Sequence, residues 1–174
     1  MRLSPVMQRY IVHWGEMGAR WGMNRSVAQI HALLYLSADG LHADEIAETL
    51  GIARSNVSVG LKELVAWNLV QITHSLGDRR DFFVAQHDPW EVIRVIIEGR
   101  KRREIDPTVV VLRECVAQLE TDTETPANVR DRLTGQLEFL ETVTSWYDSI
   151  KTLPRKTLLK MMRLGHRIAK VIGE

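Results

Sequence analysis

ADEIAETLGIARSNVSVGLKEL, residues 43–64, is the stretch on which the fold turns. Its first eight residues read as a short helix, and Gly51 stands where that helix must end, because a sharp reversal needs a residue free to take positive φ. Ala47, four residues earlier, is small enough for a second helix to cross closely. That second helix is predicted over 54–66. Ile46, Leu50, Ile52, Val57, Leu61 and Leu64 are spaced to lock the pair onto a third helix. Two short helices joined this way make a helix-turn-helix.

One face of the second helix is left over. Arg54, Ser55, Asn56, Ser58, Val59 and Lys62 cluster towards its N-terminal half, away from the apolar stripe. Arginine can fork onto guanine and asparagine onto adenine, serine reaches bases or phosphates, and a helix N-terminus favours an anion. A solvated helix face has the same composition, so this face alone does not decide. The next segment does. LVQITHSL (69–76), GDRR (77–80) and DFFVAQ (81–86) read as two strands around a Gly-Asp turn. Arg79 and Arg80 at a narrow tip suit the minor groove of DNA, whose narrowed segments concentrate negative potential. Asp78 would repel phosphate if free, so it is expected to pair with a neighbouring arginine and orient it.

Outside this segment the chain reads helical. Val6, Tyr10, Trp14, Met17 and Trp21 fall on one stripe of a helix over 6–22. A second helix follows Ser26, turns Ile30, Leu33, Leu34 and Ala38 inward, and stops at Asp39-Gly40. Asp88-Pro89 opens another, with proline at the first helical position. Beyond it, Ile105, Val109, Leu112, Val116 and Leu119, and then Leu133, Leu137, Leu140 and Tyr147, keep a four-three rhythm, which is what one helix offers another in a bundle. The predicted class is mainly α: a winged helix-turn-helix with a two-stranded wing, plus a helical dimerisation region. The expected divisions are 1–23 (a helix of the dimer body), 24–88 (DNA binding) and 89–174 (helical dimerisation).

Composition narrows the function. The 174 residues carry a net charge of only +1, so any affinity for nucleic acid must come from a local patch. The single cysteine, Cys115, lies in an apolar run and is expected to be a buried thiol in a reducing cytoplasm. No signal-peptide pattern and no membrane span of roughly 18 apolar residues is present, so a soluble protein with no membrane partner is expected. Arg100, Lys101, Arg102 and Arg103 are expected to pair with Glu98 and Glu104. The basic amphipathic C-terminal segment, with Lys151, Arg155, Lys160 and Arg163, is expected to pack on the bundle. The histidines at 13, 31, 42, 74, 87 and 166 are scattered, and neither a zinc motif nor a phosphate loop accompanies them. No enzyme, metal site or cofactor is predicted. A helical adaptor using its winged helix for protein contacts is the alternative to a DNA-binding regulator.

Residues 24–85 resemble the winged-helix domain of MarR-type regulators, and more narrowly the GbsR branch, which is linked to glycine-betaine and choline metabolism. The match is carried by RSVAQIHALLYLS (25–37), DEIAETLGIARSNVSVGLKEL (44–64), Trp67-Asn68-Leu69-Val70, GDRRDFF (77–83) and KRREIDPTVVVLREC (101–115). It implies a cytoplasmic homodimer that represses transcription at a DNA operator, with 54–66 as recognition helix and Arg80 as the minor-groove contact. It also suggests choline or betaine as effector, held through cation–π contacts by Tyr10, Trp14, Trp21 and Trp90. Two positions depart from the pattern. Ala53 replaces a Ser or Thr cap, and Asn68 replaces a glycine before the wing, a place asparagine can fill in the left-handed conformation.

Overall fold

The computed structural model describes residues 1–172 in backbone and residues 1–165 in side chains. Its contacts divide the chain into two compact units, residues 1–99 and the residues from Arg100 onward.

The first unit begins with α1 (Pro5–Arg20), capped by the Ser4 hydroxyl, which accepts from the Met7 amide at 3.3 Å, with Pro5 at the helix start. Its buried stripe is Ile11, Gly15 and Gly18 rather than the predicted aromatic one. Val6 is 79% exposed and Trp21 half exposed, while Tyr10, Trp14 and Met17 are half-buried. The reason is close approach. A Cβ on Gly18 would come within 2.4 Å of the Ala28 Cβ, so α1 lies backbone to backbone on the helix that follows it.

Helix α2 (Arg25–Leu36) is the centre of this unit. Asn24 caps it at 2.9 Å through the Ser26 amide, and Val27, Ala28, Ile30, His31, Ala32, Leu33 and Leu34 are all buried. A helix apolar on nearly every side must be covered on nearly every side. It stops at Leu36, short of the predicted end, because Ser37 is extended and its hydroxyl donates to the Asp39 carbonyl at 2.7 Å. Ala38 is therefore exposed.

Helices α3 (Ala43–Leu50) and α4 (Arg54–Ala66) have the predicted bounds, and Gly51 between them takes φ +64°. Strands β2 (Val70–Thr73) and β3 (Phe82–Ala85) form the predicted hairpin, with Asn68 at φ +57° and Gly77 at φ +84°. A third strand was not legible: β1 (Leu41–His42) pairs antiparallel with β3, Leu41 opposite Phe83 and His42 opposite Phe82. The sheet order is β1-β3-β2. Helix α5 (Pro89–Arg100) follows the Asp88 carboxylate, which accepts from the Trp90 amide at 2.9 Å, and its Val92 joins the core.

In the second unit a π-helical segment (Lys101–Ile105) precedes α6 (Asp106–Gln118), α7 (Ala127–Ile150) and α8 (Arg155–Ile172). Lys101 pairs with Asp148, Arg113 with Glu141, and the Arg130 guanidinium donates to the Leu119 carbonyl. These pairs run in opposite senses along the chain, so α6 and α7 are antiparallel. Val109 and Leu112 are buried there, and Leu133, Leu137, Leu140 and Tyr147 are half-buried. Cys115 is half-buried rather than buried. Arg100 pairs with Glu104 at 3.5 Å as expected, whereas Lys101 pairs with Asp106 at 2.8 Å and Asp148 at 3.5 Å. The predicted basic face on the C-terminal helix falls partly beyond residue 165, outside the described side chains; Arg155, Lys156, Lys160 and Arg163 are exposed.

His31 is a polar residue inside this core. Its Nε2 has no hydrogen-bond partner among the described residues, and burial pushes its pKa down from 6.5 to about 4. The unfolded chain therefore takes up a proton near pH 6.5 that the folded core refuses until about pH 4. Stability conferred by the neutral ring is complete above pH 6.5 and falls as the pH drops towards 4, by about 3 kcal/mol at most. Urea melts at pH 7.5 and 4.5 should show this loss in the native chain and a smaller one in His31→Leu. An equal loss in both would assign the acid sensitivity elsewhere.

Candidate nucleic-acid interface

Helix α4 has two faces with opposite environments. Val57, Gly60, Leu61 and Leu64 are buried, and a Cβ on Gly60 would meet the Ile30 Cδ1 at 2.8 Å. Arg54, Ser55, Asn56, Val59 and Lys62 are exposed on the other side, with Ser58 half-buried between them. Val59, 65% exposed, is an apolar group among polar ones, suited to a thymine methyl. Arg54 is not loose: its Nε donates to Asp44 Oδ1 at 2.6 Å, which ties the start of α4 to the start of α3.

The wing arginine is held more firmly still. Arg80 Nε lies 3.0 Å from both Asp78 oxygens and Nη2 lies 2.5 Å from Oδ2, while the Arg80 amide also donates to Asp78 at 3.0 Å. Those hydrogen bonds hold the Asp78 carboxyl down at about 2 and push the Arg80 guanidinium above its ordinary value. Arg80 Nη1 is 2.8 Å from His42 Nε2, and the guanidinium lies 5.5 Å from the centre of the Phe82 ring. Arg79 is exposed, and lower on the hairpin His74 faces Asp81 at 3.1 Å.

Between helix and wing runs an open groove of about 490 Å³. Arg54, Ser58 and Lys62 line it from α4, His42 and Asp44 from the start of α3, and Arg80 from the wing. Three of the predicted helix residues and one of the two predicted wing arginines thus share one concavity, while Ser55, Asn56, Val59 and Arg79 lie outside its lining.

Residues 21–81 match the family model described as MarR family. This segment is a MarR-family domain. Over 136 residues the chain is 26% identical to the HTH-type transcriptional repressor GbsR of Bacillus subtilis (strain 168), a match covering 76% of this chain and 75% of that protein. A crystal structure of a transcriptional regulator superposes with a TM-score of 0.66, at 14% identity, over 84% of this chain and 96% of that one, which is a likeness of fold. The matched segment is thus a winged helix-turn-helix of the MarR type, built on a three-stranded sheet within a mainly helical chain.

Of the four aromatic residues singled out in the sequence, two stand together. Tyr10 and Trp14 stack on each other, 5.6 Å between ring centres, and Tyr35 continues the stack 6.4 Å beyond Tyr10. Burial raises the Tyr10 hydroxyl. Trp21 follows Tyr10 by eleven residues of helix, about 16 Å along the axis, and Trp90 lies on α5. Among the described residues no group of His, Cys, Asp and Glu could hold a metal ion, and no helix is long and apolar enough to cross a membrane.

His42, Asp44 and Phe82 were missed by sequence reasoning. His42 with Glu45 three positions on forms a capping box at α3, a visible signal, but the reach of its ring to the wing is not. Ala53, by contrast, behaves as its composition dictates: it starts α4 from an extended conformation and gives no side-chain cap. Ala53→Ser should add the missing acceptor and raise stability by about 1 kcal/mol. A urea midpoint no higher than that of the native chain would show that the end of α4 is satisfied in another way.

Proposed function

We propose that this protein is a transcriptional regulator, a homodimer that binds double-stranded DNA sequence-specifically and acts as a repressor. Helix α4 would read the major groove through Arg54, Ser55, Asn56, Ser58, Val59 and Lys62, and the wing would place Arg79 and Arg80 at the adjacent minor groove. One observation carries this reading: Arg54, Ser58 and Lys62 of the helix and Arg80 of the wing line one open groove. The repressor sign follows the name of the Bacillus relative. Residues 24–88 are assigned to DNA binding, and residues 1–23 with 89–174 to dimerisation.

Support for the dimer comes from α7. Its Leu133, Leu137, Leu140 and Tyr147 side packs inward, yet Phe139, Val143 and Trp146 form a second apolar stripe, with Phe139 64% and Trp146 59% exposed. Helices with two apolar stripes are built for two partners. A two-fold dimer would also offer DNA two reading heads for paired half-sites. Light scattering at micromolar concentration should give twice the mass of the chain; a single-chain mass removes the dimer. An effector such as choline or betaine would be held by Tyr10, Trp14, Trp21 and Trp90, of which Tyr10 and Trp14 already stack on each other, and unchanged tryptophan fluorescence on adding either ligand would remove it.

The DNA upstream of the protein's own gene is the probe for the main reading. Binding in an electrophoretic shift should weaken steeply with salt, as phosphate contacts lose their counterion release. Arg80→Ala should cost about 1–3 kcal/mol of binding without lowering the melting temperature. Absence of binding to that DNA and to fragments selected from the genome would favour a protein-binding adaptor.

A further inference from the structure

We propose that His42 is a positioning residue for the wing: its imidazole holds Arg80 against the start of α3, and affinity for DNA depends on that hold. The proposal rests on the DNA binding set out above.

Position 42 is the N-cap of α3, where serine, threonine, aspartate and asparagine are the favoured residues. As a cap the ring performs poorly. Its Nδ1 accepts from the Glu45 amide at 3.4 Å, whereas Glu45 Oε2 returns the better bond, accepting from the His42 amide at 3.0 Å. At the far side of the ring, Nε2 stands 2.8 Å from Arg80 Nη1. A neutral imidazole has one nitrogen able to accept, so the Glu45 amide and the Arg80 guanidinium compete for it. The guanidinium donor is charged and closer, and it prevails. Nε2 is then the accepting nitrogen and the Glu45 amide contact at Nδ1 is the one given up; Asp44 Oδ2 lies 3.8 Å from Nδ1 and Glu45 Oε2 lies 3.4 Å from Nε2.

Three groups therefore grip one guanidinium: the Asp78 carboxylate, the Phe82 ring and the His42 imidazole. Asp78 and Phe82 belong to the hairpin and move with it. His42 belongs to the base of the helix-turn-helix, and its ring meets Phe82 edge-on at 5.9 Å across the β1–β3 pairing. Of the three, only His42 fixes the wing arginine relative to the reading helices. A shorter capping residue would serve α3 as well or better and could not reach Arg80.

His42→Asn separates the two roles, because asparagine keeps the cap and loses the reach; His42→Ser is a second variant of the same kind. Fluorescence anisotropy with the duplex upstream of the protein's own gene should show about tenfold weaker binding for His42→Asn, with a melting temperature equal to or above that of the native chain. In an Arg80→Ala background the same substitution should cost nothing further, the coupling expected of a residue acting through another. Full affinity in both cap-keeping variants, or losses that add to that of Arg80→Ala, would overturn the proposal. Should the native chain itself bind no DNA, it is the function proposed above that fails. The hold is then read directly from the exchange of the Arg80 Nε proton with solvent, which should quicken in His42→Asn; an unchanged rate overturns the hold.

Discussion

Burial of Val57, Gly60, Leu61 and Leu64 against α2 fixes the rotation of α4 about its own axis. Each residue turns a helix by about 100°, so a contact slipped by one position would carry Asn56 or Val59 towards the core and Leu61 into water. Gly60 makes slippage unrewarding, because the approach at Ile30 leaves little room for a larger side chain there. What the exposed face presents is thus decided by what the hidden face can bury. The same α2 is covered by α1 at Gly18 and Ala28, so two glycine-mediated approaches clamp one helix from different elements.

Electrostatics then works at short range, as it must in a chain with a net charge of +1. Two cations of the open groove are each matched to a carboxylate, Arg54 to Asp44 and Arg80 to Asp78. Exposed pairs of this kind add little to stability, but they hold long side chains in one conformation. An arginine already extended and paired gives up less rotamer entropy on meeting a ligand than a free one does. The neighbouring carboxylates also moderate attraction to phosphate in general, which favours ligands that match the groove in shape over polyanions at large.

Much of this architecture was visible in the residues. Gly51, Asn68 and the Asp78-Arg80 pairing each follow from a local rule about positive φ or about compensating an exposed charge, and α3 and α4 appear at the expected residues. What could not be read depends on approach across the chain. The buried stripe of α1 is Ile11 with two glycines, which carry no hydropathy signal and leave the aromatics beside them as the stronger pattern. Strand β1 has two residues, too few for alternation to register. The contact of His42 with Arg80 spans 38 positions and exists only because β1 and β3 pair. Local chemistry is written in local sequence, whereas tertiary reach is not.

The brevity of β1 also bears on solubility. A sheet invites unwanted strand addition in proportion to the unpaired backbone at its edges. Here one edge is two residues long and runs directly into α3, while the other, β2, is four residues long and turns Gln71 and Thr73 outward. Neither gives a second chain a long apolar template, and β3, with its buried Phe83 and Ala85, is shielded between them. A short, polar-edged sheet leaves the helices to govern which neighbours the molecule accepts.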